Sequence, residues 1–132
     1  MSDPKHINWV AAKHVLRYVR GTITYGLMYT SNSGVLLSGY SYSNWVGSAV
    51  DRKSTSGYCF SMGYGMFSSS CKKQGSIAQS TAEVEYIAAS DAYKEVVWLR
   101  KLLSDLFDGK LDSTIIHCDN QSCIKLSKNS MF

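Results

Sequence analysis

Midway along this chain the hydrophobic period changes from two to 3.6, and that change limits the folds open to it. Three strand candidates come first: Val35–Tyr42, Gly57–Met62 and Met66–Cys71. Short connections between them predict an antiparallel meander. Ser80-Thr81-Ala82-Glu83 then forms a capping-box pattern, in which Glu83 is expected to reach back to the backbone N–H of Ser80. The helix it opens is predicted to run to about Leu106, with Gly109 just beyond its end. Ala88, Ala92, Val96, Leu99 and Leu103 form its inner stripe, with Trp98 and Leu102 on the flank.

A further strand, Thr114–Cys118, ends in Asp119, and a new helix starts near Asn120-Gln121. A strand–helix crossover needs a strand to return to, so the fold is expected to be incomplete at the C-terminus. Upstream, His6 to Arg20 reads as a helix with Ile7, Ala11, Val15 and Tyr18 on one stripe, stopped at Gly21. Trp9 and His14 read there as packing residues. Thr22–Tyr29 is predicted as a strand, followed by a turn at Ser31–Gly34, and Asp51-Arg52-Lys53 as a polar turn. The class that accommodates these elements is α/β.

A length of 132 residues suits one domain, and an apolar share of 45% is enough for a packed core. One proline and ten glycines argue against a disordered or collagen-like polymer. The formal charge of +4 is compatible with a nucleic-acid partner without demanding one. Cys59, Cys71, Cys118 and Cys123 contain no C-x-x-C pair, which argues against a structural zinc. With no secretory signal and no bilayer-length apolar run, the thiols are expected to be reduced, the compartment cytoplasmic or nuclear, and no membrane involved.

Two of the ten acidic residues stand out. Glu85 shares the inner stripe with Ala88, Ala92 and Val96, where a lone carboxylate is costly unless paired or bound to a cation. It can instead point past the helix end into water or pair with a lysine. Asp119 ends a strand, at the edge where α/β sheets place ligands. It can equally serve as the N-cap of the next helix. Together the two suggest a site for a hard cation such as magnesium, held by carboxylates and substrate phosphate. Two-metal phosphodiester hydrolysis needs a further carboxylate shared by ions about 3.5–4 Å apart. No Asp or Glu occurs between Asp3 and Asp51, so the strand ending at Tyr42 supplies none.

The blocks HINWVAAKHVLRYVRGTITYGL, DRKSTSGYCFSMG, KKQGSIAQSTAEVEYIAAS, KEVVWLRKLL and HCDNQSCIKLSKN cover nearly the whole chain. In content, order and spacing they resemble the RNase H region of copia-type LTR retrotransposon Pol polyproteins, joined to the last helix of the reverse transcriptase. The resemblance implies a ribonuclease H-like mixed sheet, an antiparallel meander plus a parallel strand, with helices. It divides the chain into a reverse-transcriptase helix at 1–21 and a truncated RNase H-like domain at 22–132. Intact members are expected to hydrolyse the RNA strand of an RNA–DNA hybrid with Mg2+.

Carried over by position, Glu85 and Asp119 match the family's metal carboxylates. The family's Gly-Tyr-Ser-Asp-x-Asp-Trp motif is here Gly39-Tyr40-Ser41-Tyr42-Ser43-Asn44-Trp45, so Tyr42 and Asn44 stand where acids are lost. A phenol is neutral near pH 7 and a poor magnesium ligand. Ser69 replaces a tryptophan and Ser130 a proline. Magnesium binding is therefore doubtful and hydrolysis is expected to be absent or strongly impaired. The alternatives are a non-catalytic nucleic-acid-binding module, gripping phosphates through Arg52, Lys53, Lys72 and Lys73 beside Trp45 and Tyr58, or an inert remnant. Lys72-Lys73 reads equally as a solvated turn. The side chains at 42, 85 and 119 are expected to converge at one end of the sheet. Nothing in the residues indicates an oligomeric state.

Overall fold

The computed structural model describes residues 4–29, 36–48, 50–109 and 111–129. In chain order the elements are α1 (His6–Gly21), β1 (Leu37–Asn44), β2 (Thr55–Met62), β3 (Gly65–Lys73), α2 (Thr81–Phe107), β4 (Ile115–His117) and α3 (Gln121–Ser127). The strands form one mixed sheet in the order β3-β2-β1-β4. β1, β2 and β3 pair antiparallel, as the short connections require, and β4 joins β1 in parallel. The turn at Ser31–Gly34 and the Val35 end of the first predicted strand lie outside the described residues, as does Ser130.

Alternation along β1 sends Leu37, Gly39 and Ser41 to the buried face, while Tyr40 and Tyr42 stand on the other. The same face of β2 carries Phe60, with Tyr58 and Met62 on either side. Against them lie Ala92, Val96, Leu99 and Leu103 of α2, the stripe predicted from the period of 3.6. Phe60 is fully buried, and it needs glycine opposite: a Cβ on Gly39 would lie 2.5 Å from Phe60 Cε1. Gly63 turns β2 into β3 with φ 59°, a left-handed conformation that costs glycine nothing.

Polar contacts fasten α2 to the far strands. Tyr58 and Ser68 each donate to Glu95 at 3.3 Å, and Lys72 pairs with Asp91 at 3.1 Å. Partial burial pushes the Asp91 carboxyl up, but hydrogen bonds from Lys72 and Lys94 more than offset this and hold it below its ordinary value. The helix start is a variant of the expected box. Ser80 Oγ accepts from the Glu83 N–H at 3.1 Å, yet Glu83 reaches the N–H of Gln79, not that of Ser80, at 2.8 Å. At the other end the left-handed residue is Asp108, with φ 49°, one position before the glycine.

The N-terminal third departs from expectation. Residues 22–29 form turns and irregular chain, not a strand. Ile23, Tyr25, Leu27 and Met28 are exposed, and among the described residues no ladder partner stands beside them; Tyr29 anchors the segment, donating to Met66 O at 2.6 Å. The α1 stripe is likewise unburied. Trp9 is 56% exposed, and among the described residues α1 touches no other element. Amphipathic spacing predicted the helix correctly but not a surface for it to pack on. Among the described residues no helix is long and apolar enough to cross a membrane.

Two outcomes follow from this packing. Gly39→Ala should destabilise the chain by about 1–3 kcal/mol in urea unfolding, and adding Phe60→Leu should recover part of the loss, because the clash is with that ring. Equal stability of Gly39→Ala and the parent would contradict the packing. Asp91→Asn should lower the unfolding free energy measured in urea at pH 7 by no more than about 1 kcal/mol, since Lys72 is largely solvated. A depressed carboxylate stabilises above its unfolded pKa of about 3.9, and that contribution disappears as pH falls through the folded value. The gap between Asp91→Asn and parent should therefore close below about pH 4.

Candidate metal centre at the carboxyl end of the sheet

The carboxyl ends of β1, β3 and β4 lie together, because β4 runs parallel to β1 and two antiparallel pairings make β3 parallel to it as well. The start of α2 follows β3 at this end. Gln74 fixes it there: the Gln74 N–H donates to Ser54 O at 2.8 Å, and its Nε2 donates to Ser56 Oγ at 2.6 Å and Val84 O at 3.2 Å. One turn into α2, the inner stripe that buries Val84 and Ala88 also buries Glu85, which is 9% exposed.

β4 is short and is held from outside the ladder. Arg100 on α2 donates to the carbonyls of Leu111 at 2.9 Å and Asp112 at 2.6 Å, steering the incoming chain toward β1. Ser41 Oγ donates to His117 O at 3.4 Å. Beyond His117 a turn of three residues leads into α3, and Asn120, not Asp119, caps that helix by accepting from the Cys123 N–H at 2.9 Å. Asp119 is thus released from the capping role open to it in the sequence.

Glu85, Cys118 and Asp119 come together here, with one ligand atom from each within 4.8 Å of the others. Glu85 Oε2 is buried and has no hydrogen-bond partner. Nor does Glu85 form an ion pair with a lysine among the described residues, so neither bland alternative for this side chain is realised. An anionic oxygen in that state is costly unless a cation or proton meets it. Cys118 escaped the sequence reading because a cysteine search keyed on C-x-x-C spacing does not see a single thiol beside two acids. Cys123, buried on α3, has its thiol pushed up to about 12, first by burial, then by its hydrogen bond with Cys118 and the negative charge of Cys118 and Glu85.

Tyr42 reaches the same end of the sheet but not the cluster. Extending the β1–β4 register by two residues sets Tyr42 level with Asp119 on the neighbouring strand. Alternation nevertheless turns its ring to the outer face, where it lines a shallow depression with Tyr40, Cys59 and Cys71. The expected convergence of 42, 85 and 119 is corrected accordingly: 85 and 119 meet, and 42 lies beside them with its side chain directed away. Asn44, two residues on, shares that outer parity and is exposed, as is Ser69 on β3.

The four basic candidates occupy the same end but do not form an open cationic strip. Lys73 pairs with Asp51 at 2.7 Å, and Lys72 is engaged with Asp91 on the α2 side. Hydrogen bonds from Lys73 and Ser48 hold the Asp51 carboxyl well below the usual carboxylate range. Arg52 is exposed at the tip of the β1–β2 turn with φ 54°, and Lys53 is half-buried beside it. Tyr58 is committed to Glu95, while Trp45 is 48% exposed.

Known proteins resemble the chain over long stretches. It is 39% identical over 132 residues to the retrovirus-related Pol polyprotein from transposon TNT 1-94 of Nicotiana tabacum, and 33% identical over 132 residues to that from transposon RE2 of Arabidopsis thaliana. It spans 10% and 9% of those two proteins. Over 98 residues, 74% of this chain and 69% of the relative, it is 47% identical to the secreted RxLR effector protein 161 of Plasmopara viticola. No protein-family model and no solved structure matches it. The chain therefore belongs to one family with the secreted RxLR effector protein 161, and its homologues include the retrovirus-related Pol polyproteins of copia-type transposons.

Proposed function

We propose that this chain descends from the RNase H-like domain of a retrotransposon Pol polyprotein, which hydrolysed the RNA strand of RNA–DNA hybrids with magnesium, and that its own hydrolytic site is defective. The observation that carries this reading is the orphaned, buried Glu85 carboxylate beside Asp119 at the carboxyl end of a parallel strand. A buried helix carboxylate and a strand-end carboxylate from distant parts of the chain have no structural need to meet. Binding a cation gives them one.

Glu85 and Asp119 fit magnesium as oxygen donors, and the unpartnered Oε2 is the atom such an ion would satisfy. Magnesium there would supply charge stabilisation to the attacked phosphate. A second ion needs a bridging carboxylate, and the nearest strand position level with Asp119 holds the phenol of Tyr42. Loss of several kcal/mol of metal stabilisation, taken as about 4 kcal/mol, slows a reaction roughly a thousandfold. The ion pairs of Lys72 and Lys73 further reduce the charge available to a hybrid backbone.

The reading predicts no magnesium-dependent cleavage of an RNA–DNA hybrid by the purified chain. Because the side chains at 42 and 44 face the outer side of the sheet, Tyr42→Asp with Asn44→Asp should leave cleavage absent, whereas Glu85→Gln and Asp119→Asn should each lower the chain's magnesium affinity by at least about tenfold. Gel analysis of a doubly labelled hybrid measures the first and titration with magnesium the second. Cleavage by the unaltered chain would contradict the defect. Magnesium affinity unchanged by both replacements would contradict the descent.

A further inference from the structure

We propose that α1 is an interfacial helix that lies in the plane of an anionic membrane surface, its apolar arc at the acyl boundary and its cations among the headgroups. Set out at about 100° per residue, its side chains separate into two arcs. Arg20, Lys13, His6, Arg17 and His14 occupy about 120° on one side, and Ile7, Tyr18, Val15, Val19, Leu16 and Trp9 about 200° on the other. Val10 is the one apolar side chain among the cations, and Asn8 the one amide in the apolar arc. Trp9 and Tyr18 stand at the two borders of that arc, where amphipathic rings sit at a membrane–water interface. Lys13 Nζ lies 5.1 Å from the centre of the Trp9 ring and joins the arcs at one border. No acid answers these cations: before Asp51, Lys5, Lys13, Arg17 and Arg20 against Asp3 give +3 of the chain's formal +4.

No residue of α1 is buried, and among the described residues the helix packs on no other element. Leu16 is 65% exposed and Val15 61%. A helix of 16 residues draws most of its stability from packing its apolar face, so this one needs a partner outside the described fold. Ile23, Tyr25 and Met28, exposed in the segment that follows, extend the same apolar surface. Charge selects the partner. A second α1 would set cation against cation. The phosphates of a nucleic acid would meet the cationic arc and leave the apolar arc in water, whereas an anionic bilayer meets both. At about 1.5 Å per residue the helix is about 24 Å long, short of a hydrocarbon core of about 30 Å, so it lies on the surface. That no described helix can span a membrane does not bear on this mode of attachment. Lipid attachment through α1 is independent of the nuclease descent.

The test uses the full chain and vesicles of phosphatidylserine mixed with phosphatidylcholine, read by co-sedimentation. The chain should bind these vesicles, bind phosphatidylcholine alone at least about tenfold more weakly, and lose affinity as salt rises. Each Lys or Arg at such a surface strengthens binding by about fivefold, so Lys13→Gln with Arg17→Gln should weaken it by about twenty-five-fold. Val15→Gln with Leu16→Gln keeps every cation and should weaken it by at least about tenfold. All four side chains are exposed on a helix that touches no other described element, so neither pair should move the urea unfolding midpoint. Trp9 fluorescence, taken as the difference between the parent and Trp9→Phe, should shift to the blue on binding. No binding, equal affinity for both vesicle types, or binding undiminished by Val15→Gln with Leu16→Gln would overturn the proposal. So would a dimer in solution that this pair dissolves. Binding confined to an RNA–DNA hybrid, lost with the cations and kept without Val15 and Leu16, would assign α1 to nucleic acid and equally overturn it.

Discussion

The seating of α2 on the β1–β2 ladder is the interaction on which the rest of the molecule depends. It requires a void in one strand and a ring in the next: Gly39 leaves the space that Phe60 fills, and the small Ala88 and Ala92 let the helix backbone come close. Burial of apolar area along this contact is the main favourable term, at about 25 cal/mol per Å2. The helix is continuous, so its register is common to all its turns. Once Val96, Leu99 and Leu103 are inside, position 85 is inside as well. The carboxylate of Glu85 is buried by the packing of residues about three to five turns away, and local solvation cannot rescue it.

That constraint meets a second one from the other side of the sheet. β4 has three residues in its ladder and relies on Arg100 and Ser41 to keep it in place. Its exit is compressed into a turn whose capping duty falls to Asn120, which leaves Cys118 and Asp119 free to face Glu85. The fold thus brings two carboxylates and a thiol from distant parts of the chain to the carboxyl end of one strand.

Much of this was legible from the residues alone, and the exceptions have physical causes. The change of period identified the meander and the long helix because burial on one face imposes its spacing on the sequence. The same argument singled out Glu85, as a charge on an apolar stripe. It failed for residues 22–29, where alternating apolar side chains exist but no strand edge receives them, and for α1, whose stripe faces no partner among the described residues. The direction of Tyr42 was in fact readable from Leu37, Gly39 and Ser41, whose parity it does not share. The pairing of Lys72 and Lys73 was not, because Asp91 and Asp51 approach them only after the strands assemble. Cys118 was visible as a residue, but its place beside Glu85 appears only once β4 is brought to α2.

The claim on which the proposed descent rests is that Glu85 is a buried carboxylate with no partner in the protein itself. Urea unfolding of Glu85→Met in metal-free buffer tests it most directly, because methionine fills similar space without a charge. Relief of the unmet carboxylate predicts a gain of about 1–3 kcal/mol over the parent chain. A loss of stability would mean that the protein already satisfies this group, and the cation site would have no basis.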